Sequence, residues 1–323
     1  MKINDFFHCR LKKNMYLCRE QKNIYIMSMQ NTKLQEILKS NGLDFTIEKA
    51  PLMALNSNGI YVPSEYFGLI NSSTNEVINT VKEGYTVSQN EEVVDLVLRG
   101  IEPFGNDVQV TKGGALNGGR RVFLQLAING DGKVGNDTIK KYITIIDSND
   151  GSTGLSVGIG DLTMSCSNQF FKFYKSGQSK FRHTASLERR IKEIPFLIET
   201  ALSESLRQIE IYNQFASTKI SRDLAHKMVK HIIGFDKVYT SVNDLADKST
   251  RSINKMDSLY NAIEREMNSK GDTLWGLHSG ITYYTTHELS APKRDNGKIE
   301  TLLQGTGYNM NQASLEFASQ LVY

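Results

Sequence analysis

The sequence predicts an α+β fold, with an antiparallel or mixed sheet built from hairpins in the first half and a helix-rich second half packed on it. Three observations predict this fold. Strand-like segments run from Phe45 to Ile146, helical periodicity dominates after Ser186, and strands precede helices instead of alternating with them. The 323 residues, 39% of them hydrophobic and 23% charged, are enough for a sizeable core and exclude a fully disordered chain.

The beginning of the chain differs from the rest in charge. Residues 1–26 hold six basic and two acidic residues, whereas the remainder holds 32 basic and 33 acidic residues. The segment lacks apolar periodicity and the apolar stretch of a secretory signal. We expect a disordered or misassigned extension, with the protein starting at Met27 or Met29; a basic arm that touches nucleic acid is the alternative. The predicted division is an extension 1–28, a strand-rich part 29–185 and a helix-rich part 186–323 of the same domain.

Turn residues divide the first half into elements. In chain order, we predict an amphipathic helix from Ser28 to Ser40, a hairpin of Tyr66–Ile70 with Glu76–Val81, a helix capped by Asn90-Glu91-Glu92 and stopped by Gly100, strands at Val108–Thr111 and Arg121–Ile128, a turn at 128–132 and a strand at Lys141–Asp147. The turn between the strands at 108–111 and 121–128 is expected to contain Gly113-Gly114 and Gly118-Gly119, because glycine adopts turn conformations without steric cost.

The second half reads as helices. Ser186–Ala216 has apolar residues three or four positions apart, at 187, 191, 194, 198, 202, 206, 209 and 212. Pro195 lies inside this stretch and is expected to kink or divide the helix. Further helices are predicted at Asp223–Ile233, Ser241–Asp247, Asn254–Asn268, Leu274–Glu288 and Asn311–Leu321.

Cysteine usage and hydropathy exclude several classes of protein. The three cysteines are too few for a disulfide framework, and none forms a Cys-x-x-Cys zinc pair. No apolar run reaches the roughly 18 to 20 residues that span a bilayer. We therefore expect a protein without membrane segments or cofactors, located in the cytoplasm.

A basic, aromatic stretch is the main indication of function. No acidic residue occurs between Asp161 and Glu188. Within that window lie Lys172, Lys175, Lys180, Arg182 and His183, interleaved with Phe170, Phe171, Phe173, Tyr174 and Phe181. Cations neutralise phosphates and aromatic rings stack on unpaired bases, so the composition suits single-stranded nucleic acid. The alternative is an amphipathic segment with phenylalanines in the core and lysines in solvent.

A glycine-basic element offers a second contact. Asn117-Gly118-Gly119 precedes Arg120 and Arg121, and paired guanidinium groups can fork onto phosphate. A flexible hairpin tip explains the same residues equally well. The predicted nucleic-acid-binding residues are Arg120, Arg121, Lys172, Tyr174, Lys175, Lys180, Arg182 and His183.

Other reactive residues have structural explanations that we prefer. The loop around Asp147 and Asp150 is typical of an Asx-rich turn, although with Asp161 these acids could gather a divalent ion. Cys166 could be a nucleophile activated by His183, but a buried thiol packing as a small apolar group is more common.

Trp275 and the tyrosines and histidines that follow it predict a packed aromatic helix. His278 and His287 are nine positions apart, which is not the spacing of a helical zinc pair, so a metal site is not predicted.

An ordered set of motifs resembles the phage/plasmid-like protein family catalogued as domain of unknown function 932. The matching pieces are Glu83 to Glu92, Gly118-Gly119-Arg120-Arg121-Val122-Phe123, Asp150-Gly151-Ser152, Ser165-Cys166-Ser167-Asn168, Arg182-His183-Thr184, Leu274-Trp275, Tyr283-Tyr284 and the region of Ala318. The resemblance covers about residues 40 to 323. It implies a mobile-element protein of a bacterial cytoplasm and carries no catalytic residues over.

The composition and the resemblance together favour a phage or plasmid DNA-binding protein. We expect a single-strand annealing or recombination/replication accessory protein that forms a homo-oligomer on single-stranded DNA. The layout is similar to that of phage single-strand annealing proteins, an analogy of architecture alone. Two alternatives remain open: a metal-dependent nucleic-acid enzyme, and a protein-interaction factor that acts on a host system. A non-enzymatic role is favoured.

Overall fold

The computed structural model describes residues 32–173, 180–181, 193–233 and 250–322. The predicted extension 1–28 and the predicted helix Ser241–Asp247 lie outside these residues. Antiparallel strands occupy the first half and helices the second, as the α+β prediction requires. Among the described residues, no helix is long and apolar enough to cross a membrane.

The strands form two antiparallel sheets. The first has the order β1-β2-β3, and the second has the order β4-β5-β6-β7-β8, with β9 also paired to β7. Their bounds are β1 Ile47–Leu55, β2 Tyr61–Asn71, β3 Glu76–Lys82, β4 Val108–Leu116, β5 Arg121–Val134, β6 Asp137–Ser148, β7 Leu155–Thr163, β8 Asn168–Phe173 and β9 Lys180–Phe181.

Helices precede, separate and follow the strands. Their bounds are α1 at residues 32–40, α2 Asn90–Ile101 with a 3-10 turn Glu102–Asp107, α3 Ile194–Ser217, α4 Arg222–Ile233, α5 Thr250–Lys270, α6 Leu274–Tyr283 with a π-helical turn Tyr284–Glu288, α7 Gly297–Gln304 and α8 Thr306–Gln320. Among the helices of the described residues, only α7 has no predicted counterpart; among the strands, β1, β7, β8 and β9 were not individually predicted.

The three-stranded sheet confirms the predicted first hairpin. β2 and β3 join through residues 72–75, with Asn71 opposite Glu76. Asn75 closes the turn at φ 57°, a conformation that asparagine tolerates better than most residues. The hairpin of β1 and β2 extends further, and its outer part, residues 52–65, is largely exposed.

The six-stranded sheet corrects two predicted turns. Gly113 and Gly114 lie within β4, opposite Leu124 and Phe123, and only Asn117–Arg120 form the turn. A Cβ at Gly114 would lie 2.9 Å from the Phe123 ring, so this glycine serves close packing and not a bend. The predicted turn at 128–132 is instead a bulge in β5, which continues to Val134.

Helix α2 confirms the predicted element but corrects both of its ends. Gln89 is the N-cap residue, and Asn90 donates from Nδ2 to the carbonyl oxygens of Leu43 and Phe45. The asparagine therefore ties the helix to the segment before β1 instead of capping it. The helix also passes Gly100 and ends at Ile101.

Helix α3 corrects the prediction for Pro195. The proline lies in the first turn of the helix, where a missing N–H costs no hydrogen bond, so it begins the helix and does not kink it. Part of the predicted stripe is buried, with Ile198 inaccessible, but Leu206 is 60% exposed. Polar Ser205 and Gln208 are buried instead, and Gln208 accepts a hydrogen bond from Lys172 of β8.

Helices cover both faces of the six-stranded sheet. On one face, Leu124, Ile143, Ile145 and Val157 join the main core with Ile198 of α3. This core also includes residues of α1, α2 and the three-stranded sheet. The opposite face packs its own cluster under α7, formed by Leu116, Phe123, Ile146, Phe171, Ile299, Leu302 and Leu303. We call these the α3 face and the α7 face.

Candidate nucleic-acid interface

One end of the six-stranded sheet carries two of the predicted basic residues. Arg121 begins β5 opposite Ser148, the last residue of β6. Lys180 of β9 is opposite Ser156, near the start of β7. Because Ser156 is opposite Ile146, two residues before Ser148 on β6, Lys180 and Arg121 lie two residue positions apart along the strands at the same end of the sheet. We call this end, with Arg120, Arg121 and Lys180, the basic sheet end.

The turn that presents Arg120 and Arg121 is firmly built. Gly119 has φ 83°, and a Cβ there would lie 2.4 Å from Asn71 Nδ2, so glycine is required. The Arg120 carbonyl oxygen accepts hydrogen bonds from the backbone N–H groups of Asn149 and Asp150, at 2.8 and 3.2 Å. The hairpin tip predicted as flexible is therefore tied to the loop after β6.

Arg121 contacts the same loop and α7. Its Nε donates to Ser152 Oγ at 3.0 Å, and its Nη1 donates to Gln304 Oε1 at 2.8 Å. Glu300 Oε1 lies 4.0 Å from Nη1. The guanidinium is thus oriented by α7, whereas Glu300, at the limit of ion pairing, makes its closer ion pair with Arg294 at 2.7 Å.

Lys172 lies away from Arg121. Its Cα is opposite Ile159, which places it on the α3 face, whereas Arg121 shares the α7 face with Phe123. Its Nζ donates to Gln208 Oε1 at 3.3 Å, and partial burial lowers the pKa of this lysine. The structure therefore does not bring Lys172 and Arg121 into one groove.

The aromatic part of the predicted stretch is divided between core and undescribed residues. Phe170 and Phe171 are buried on opposite faces of β8, which supports their structural interpretation. Tyr174, Lys175, Arg182 and His183 lie outside the described residues.

The acidic loop beside the basic sheet end is a structural turn. Asp147 accepts hydrogen bonds from Ser88 Oγ and from the Ser148 N–H. Asp150 accepts from the Ser152 N–H at 2.9 Å. Asp161 is opposite Lys141, and Lys141 is six residues from Asp147 on β6. Asp161 therefore lies about 20 Å from Asp147 along the strand direction.

The three acids that could have held a metal ion therefore do not converge. No group of three or more potential metal ligands forms among the residues described here.

Cys166 lies in a polar cluster that does not activate it. Its Sγ is 3.7 Å from Lys270 Nζ, but burial raises the pKa of the thiol. Lys270 is engaged by Asp137 Oδ2 at 2.7 Å, and Trp275 Nε1 donates to the same oxygen at 2.8 Å. The Ser165 hydroxyl, in the turn between β7 and β8, donates to Asp137 Oδ1 at 2.6 Å. Together these bonds hold the start of β6 and that turn against α5 and α6, and they lower the pKa of Asp137 although burial acts to raise it.

The nearest described histidine to this turn is His287, whose ring nitrogen contacts the Cys166 carbonyl oxygen at 2.9 Å. His183, the residue considered as a base in the sequence, lies outside the described residues.

The predicted aromatic helix is confirmed. Rings of Tyr212, Phe215, Trp275 and His278 pack with centroids 4.9 to 6.3 Å apart. His278 Nδ1 and Ser314 Oγ share a hydrogen bond of 2.8 Å. Burial lowers the pKa of His278 to about 3, so the ring is neutral at physiological pH.

A buried polar cluster on the α3 face escaped sequence reasoning. Asp161 accepts a hydrogen bond from the Tyr212 hydroxyl at 3.1 Å, and its other oxygen has no hydrogen-bond partner among the described residues. Lys141 is directly opposite on β6. Burial raises the pKa of Asp161 to about 7, against the opposing effects of Tyr212, Lys141 and Lys172. The only sequence signal was Asp161 itself, the single charged residue of β7.

The fold and this sheet end define an α+β protein with helices on both faces of an antiparallel sheet. The family model described as "Domain of unknown function (DUF932)" matches residues 77–304, more than two thirds of the chain. The protein therefore belongs to this family, as the motifs predicted. The matched region runs from β3 to the end of α7 and includes the whole six-stranded sheet. No curated protein and no solved structure matches the chain.

Proposed function

We propose that the protein binds single-stranded DNA at the basic sheet end. In this proposal it is a non-enzymatic annealing, recombination or replication accessory protein of a phage or plasmid, acting in the bacterial cytoplasm. One observation carries the proposal: the pairing of β9 with β7 brings Lys180 to the sheet end that holds Arg121.

The spacing of the two positions suits a strand that crosses the sheet end. β5 and β9 are separated by β6 and β7, so three interstrand steps give a span of about 14 Å. Tyr174 and Lys175 precede β9 in the sequence, and Arg182 and His183 follow it directly. These four residues are therefore within six positions of Lys180 in the sequence, and they belong to the proposed interface. Lys172 does not belong to it.

Arg121 retains the capacity to bind phosphate. An arginine offers five N–H donors, and the hydrogen bonds to Ser152 and Gln304 use Nε and Nη1. No hydrogen bond joins Nη2 to a described residue. A phosphate can therefore accept hydrogen bonds from the two N–H groups of Nη2. Glu300, 4.0 Å from Nη1, reduces the local positive charge but leaves these two donors available.

Fluorescence anisotropy with a labelled single-stranded oligonucleotide, across a salt series, tests the proposal. Arg120→Ala and Lys180→Ala should each weaken binding and flatten the salt slope by about one unit, because each removes one phosphate contact. Arg99→Ala is the matched control, since Arg99 pairs with Asp95 on α2, away from this end.

The unmodified chain should bind saturably at low salt without cleaving the oligonucleotide when magnesium is added. Absence of binding, or an equal loss in the Arg99→Ala control, would refute the interface.

A second candidate function is self-association through the outer hairpin of β1 and β2. Among the described residues, six of the eleven exposed large apolar side chains lie here: Met53, Leu55, Ile60, Tyr61, Val62 and Tyr66. Glu65 is the only charged residue between positions 50 and 66. Interface cores are depleted of charge and rich in such side chains, and a two-stranded hairpin alone is marginally stable.

The favoured occupant of this surface is therefore the same hairpin of a second copy, because two uncharged apolar surfaces complement each other. Leu55 and Tyr61 are opposite each other and 60% and 67% exposed. Replacing both with serine should convert the oligomer to a monomer in sedimentation experiments, whereas Met164→Ser on another exposed turn should not. A monomeric unmodified chain at high concentration would exclude this candidate.

A further inference from the structure

Glu300 lies between two arginines on the α7 side of the basic sheet end. Its Oε2 accepts hydrogen bonds from Arg294 Nη2 and Nε, at 2.7 and 3.2 Å. Its Oε1 lies 4.0 Å from Arg121 Nη1. One carboxylate therefore joins two guanidinium groups that come from distant parts of the sequence.

The backbone that carries Arg294 is fixed before α7 begins. The Arg294 carbonyl oxygen accepts from the Gly297 N–H at 3.0 Å, and its own N–H donates to the Pro292 carbonyl oxygen at 2.9 Å. Asn296, at φ 56°, donates from Nδ2 to the Ala115 carbonyl oxygen on β4 at 3.0 Å. The loop is therefore tied to the sheet, and the Arg294 side chain starts from an ordered position.

Both arginines keep donors that the described part of the chain does not use. Arg121 engages Nε and Nη1, whereas Arg294 engages Nε and Nη2. Each guanidinium therefore has one terminal nitrogen, with two N–H groups, that bonds to none of the described residues. The side chains of Arg121 and Arg294 are 25% and 42% exposed, so a ligand from solvent can reach them.

The three side chains carry more positive than negative charge. An arginine is charged at any physiological pH, and here two of them face a single carboxylate. Glu300 is 14% exposed and lies in the first turn of α7, where the helix dipole also favours a negative group. One more negative charge would balance the group. Phosphate is the favoured ligand, because its oxygens accept from planar guanidinium forks in pairs.

We propose that Arg121 and Arg294 together bind one phosphate group, and that Glu300 competes with it for both arginines. The phosphate accepts from the unused nitrogens of the two side chains, which the carboxylate already holds close together. In the proposed function this phosphate belongs to the single-stranded DNA. The inference therefore rests on that function, and it extends the interface from the sheet end to the loop before α7.

Fluorescence anisotropy of the full chain with a labelled single-stranded oligonucleotide tests both new residues. Arg294→Ala should weaken binding and flatten the salt slope by about one unit, because one phosphate contact loses a cation. Glu300→Gln should tighten binding about threefold to fivefold, because it removes the competing charge at constant shape.

The chain offers a matched pair of controls on α4 and α5. Arg222 is also 42% exposed, and its Nη1 lies 3.7 Å from Glu264 Oε1. Arg222→Ala and Glu264→Gln make the same changes away from the basic sheet end, and neither should alter the affinity or the salt slope.

A double variant separates a direct contact from an indirect one. Arg294→Ala releases Glu300, which can then pair with Arg121 and weaken DNA binding even if Arg294 never meets the phosphate. Arg294→Ala should therefore still reduce the affinity and the salt slope when it is made in the Glu300→Gln chain. If it changes neither in that chain, the two-arginine site is refuted.

Inorganic phosphate separates failure of this site from failure of DNA binding. Compared with chloride at equal ionic strength, phosphate should raise the melting temperature more in the unmodified and Glu300→Gln chains than in Arg294→Ala. That difference without oligonucleotide binding would support the phosphate site and refute the DNA-binding function. Oligonucleotide binding that depends on Lys180 but is unchanged in Arg294→Ala would support the function and overturn the site, and absence of both signals would overturn both.

Discussion

The buried carboxyl of Asp161 should make the stability of the protein depend on pH in a defined way. Its pKa is raised from 3.8 to about 7, mainly because α3 removes it from water. An acid whose folded-state pKa is raised keeps its proton to a higher pH in the folded chain than in the unfolded chain. Between these two pKa values the folded state binds more protons, so stability is lost as pH rises from about 4 to about 7.

Replacing Asp161 with Asn removes this titration while keeping the shape and one acceptor for the Tyr212 hydroxyl. One pKa unit corresponds to about 1.4 kcal/mol, so the shift from 3.8 to about 7 makes Asp161 cost the folded chain about 2 to 3 kcal/mol between pH 5 and pH 8. Relative to the unmodified chain, the variant should therefore gain that amount of stability between pH 5 and pH 8.

The comparison of two chains is necessary because His278 acts in the opposite direction. Its pKa is lowered to about 3, so the unfolded chain takes up a proton below about pH 6.5 that the folded chain refuses. Over the same pH range this histidine offsets most of the change from Asp161. The stability of the unmodified chain alone can thus look flat although both groups titrate.

Urea unfolding at pH 5 and pH 8 measures the effect, with the same m-value required in every variant. Asp44→Asn, an exposed position before β1, is the matched control and should change little at either pH. If the stability difference between Asp161→Asn and the unmodified chain is the same at both pH values, the carboxyl does not titrate as the burial argument requires.

The other predictions concern single side chains in the described core. Relative to the unmodified chain, His278→Gln should gain about 2 kcal/mol of stability as the pH falls from 7 to 5, measured by urea unfolding; the same difference at both pH values would contradict the burial of the ring. Ile198→Ala should cost roughly 2 to 5 kcal/mol, whereas Leu206→Ala on the same helix should cost little because it is 60% exposed; equal losses would mean that the helical phase is wrong. Gly119→Ala should lower the melting temperature, since the residue has φ 83° and its Cβ would meet Asn71 Nδ2 at 2.4 Å; an unchanged melt would show that the turn rearranges freely.

Local patterns predicted much of this fold because they depend on residues close in sequence. The hairpin of β2 and β3 followed from turn residues between two strand-like runs, and most of the later helices followed from their apolar spacing. The same reasoning failed where glycine serves packing. The pattern predicts Gly113 and Gly114 as turn residues, but they lie in β4, where Phe123, Leu124 and Asn296 approach too closely for a larger residue.

The candidate site depended more on contacts between distant parts of the chain. The Arg120-Arg121 pair was visible in the sequence, but its proximity to Lys180 follows from the β9 register. Lys172 is close to the other basic residues in the sequence but not in the fold. Successive residues of a strand point to opposite faces, and Lys172 lies on the α3 face. Asp161 and Tyr212 are 51 positions apart, and no local pattern indicates that they meet.

Helix α7, which sequence analysis did not predict, positions one residue of the proposed interface. Phe123, two residues after Arg121 on the same face of β5, packs under α7. At one end of the helix Gln304 and Glu300 hold the Arg121 guanidinium.

Just before the other end of α7, Asn296 donates to the Ala115 carbonyl oxygen on β4. A strand of nucleic acid cannot run straight along β5 from the basic sheet end, because α7 covers Phe123. The proposed strand must therefore cross the sheet end from β5 towards β9, and a shift of α7 would alter the anchors of Arg121 and weaken that contact.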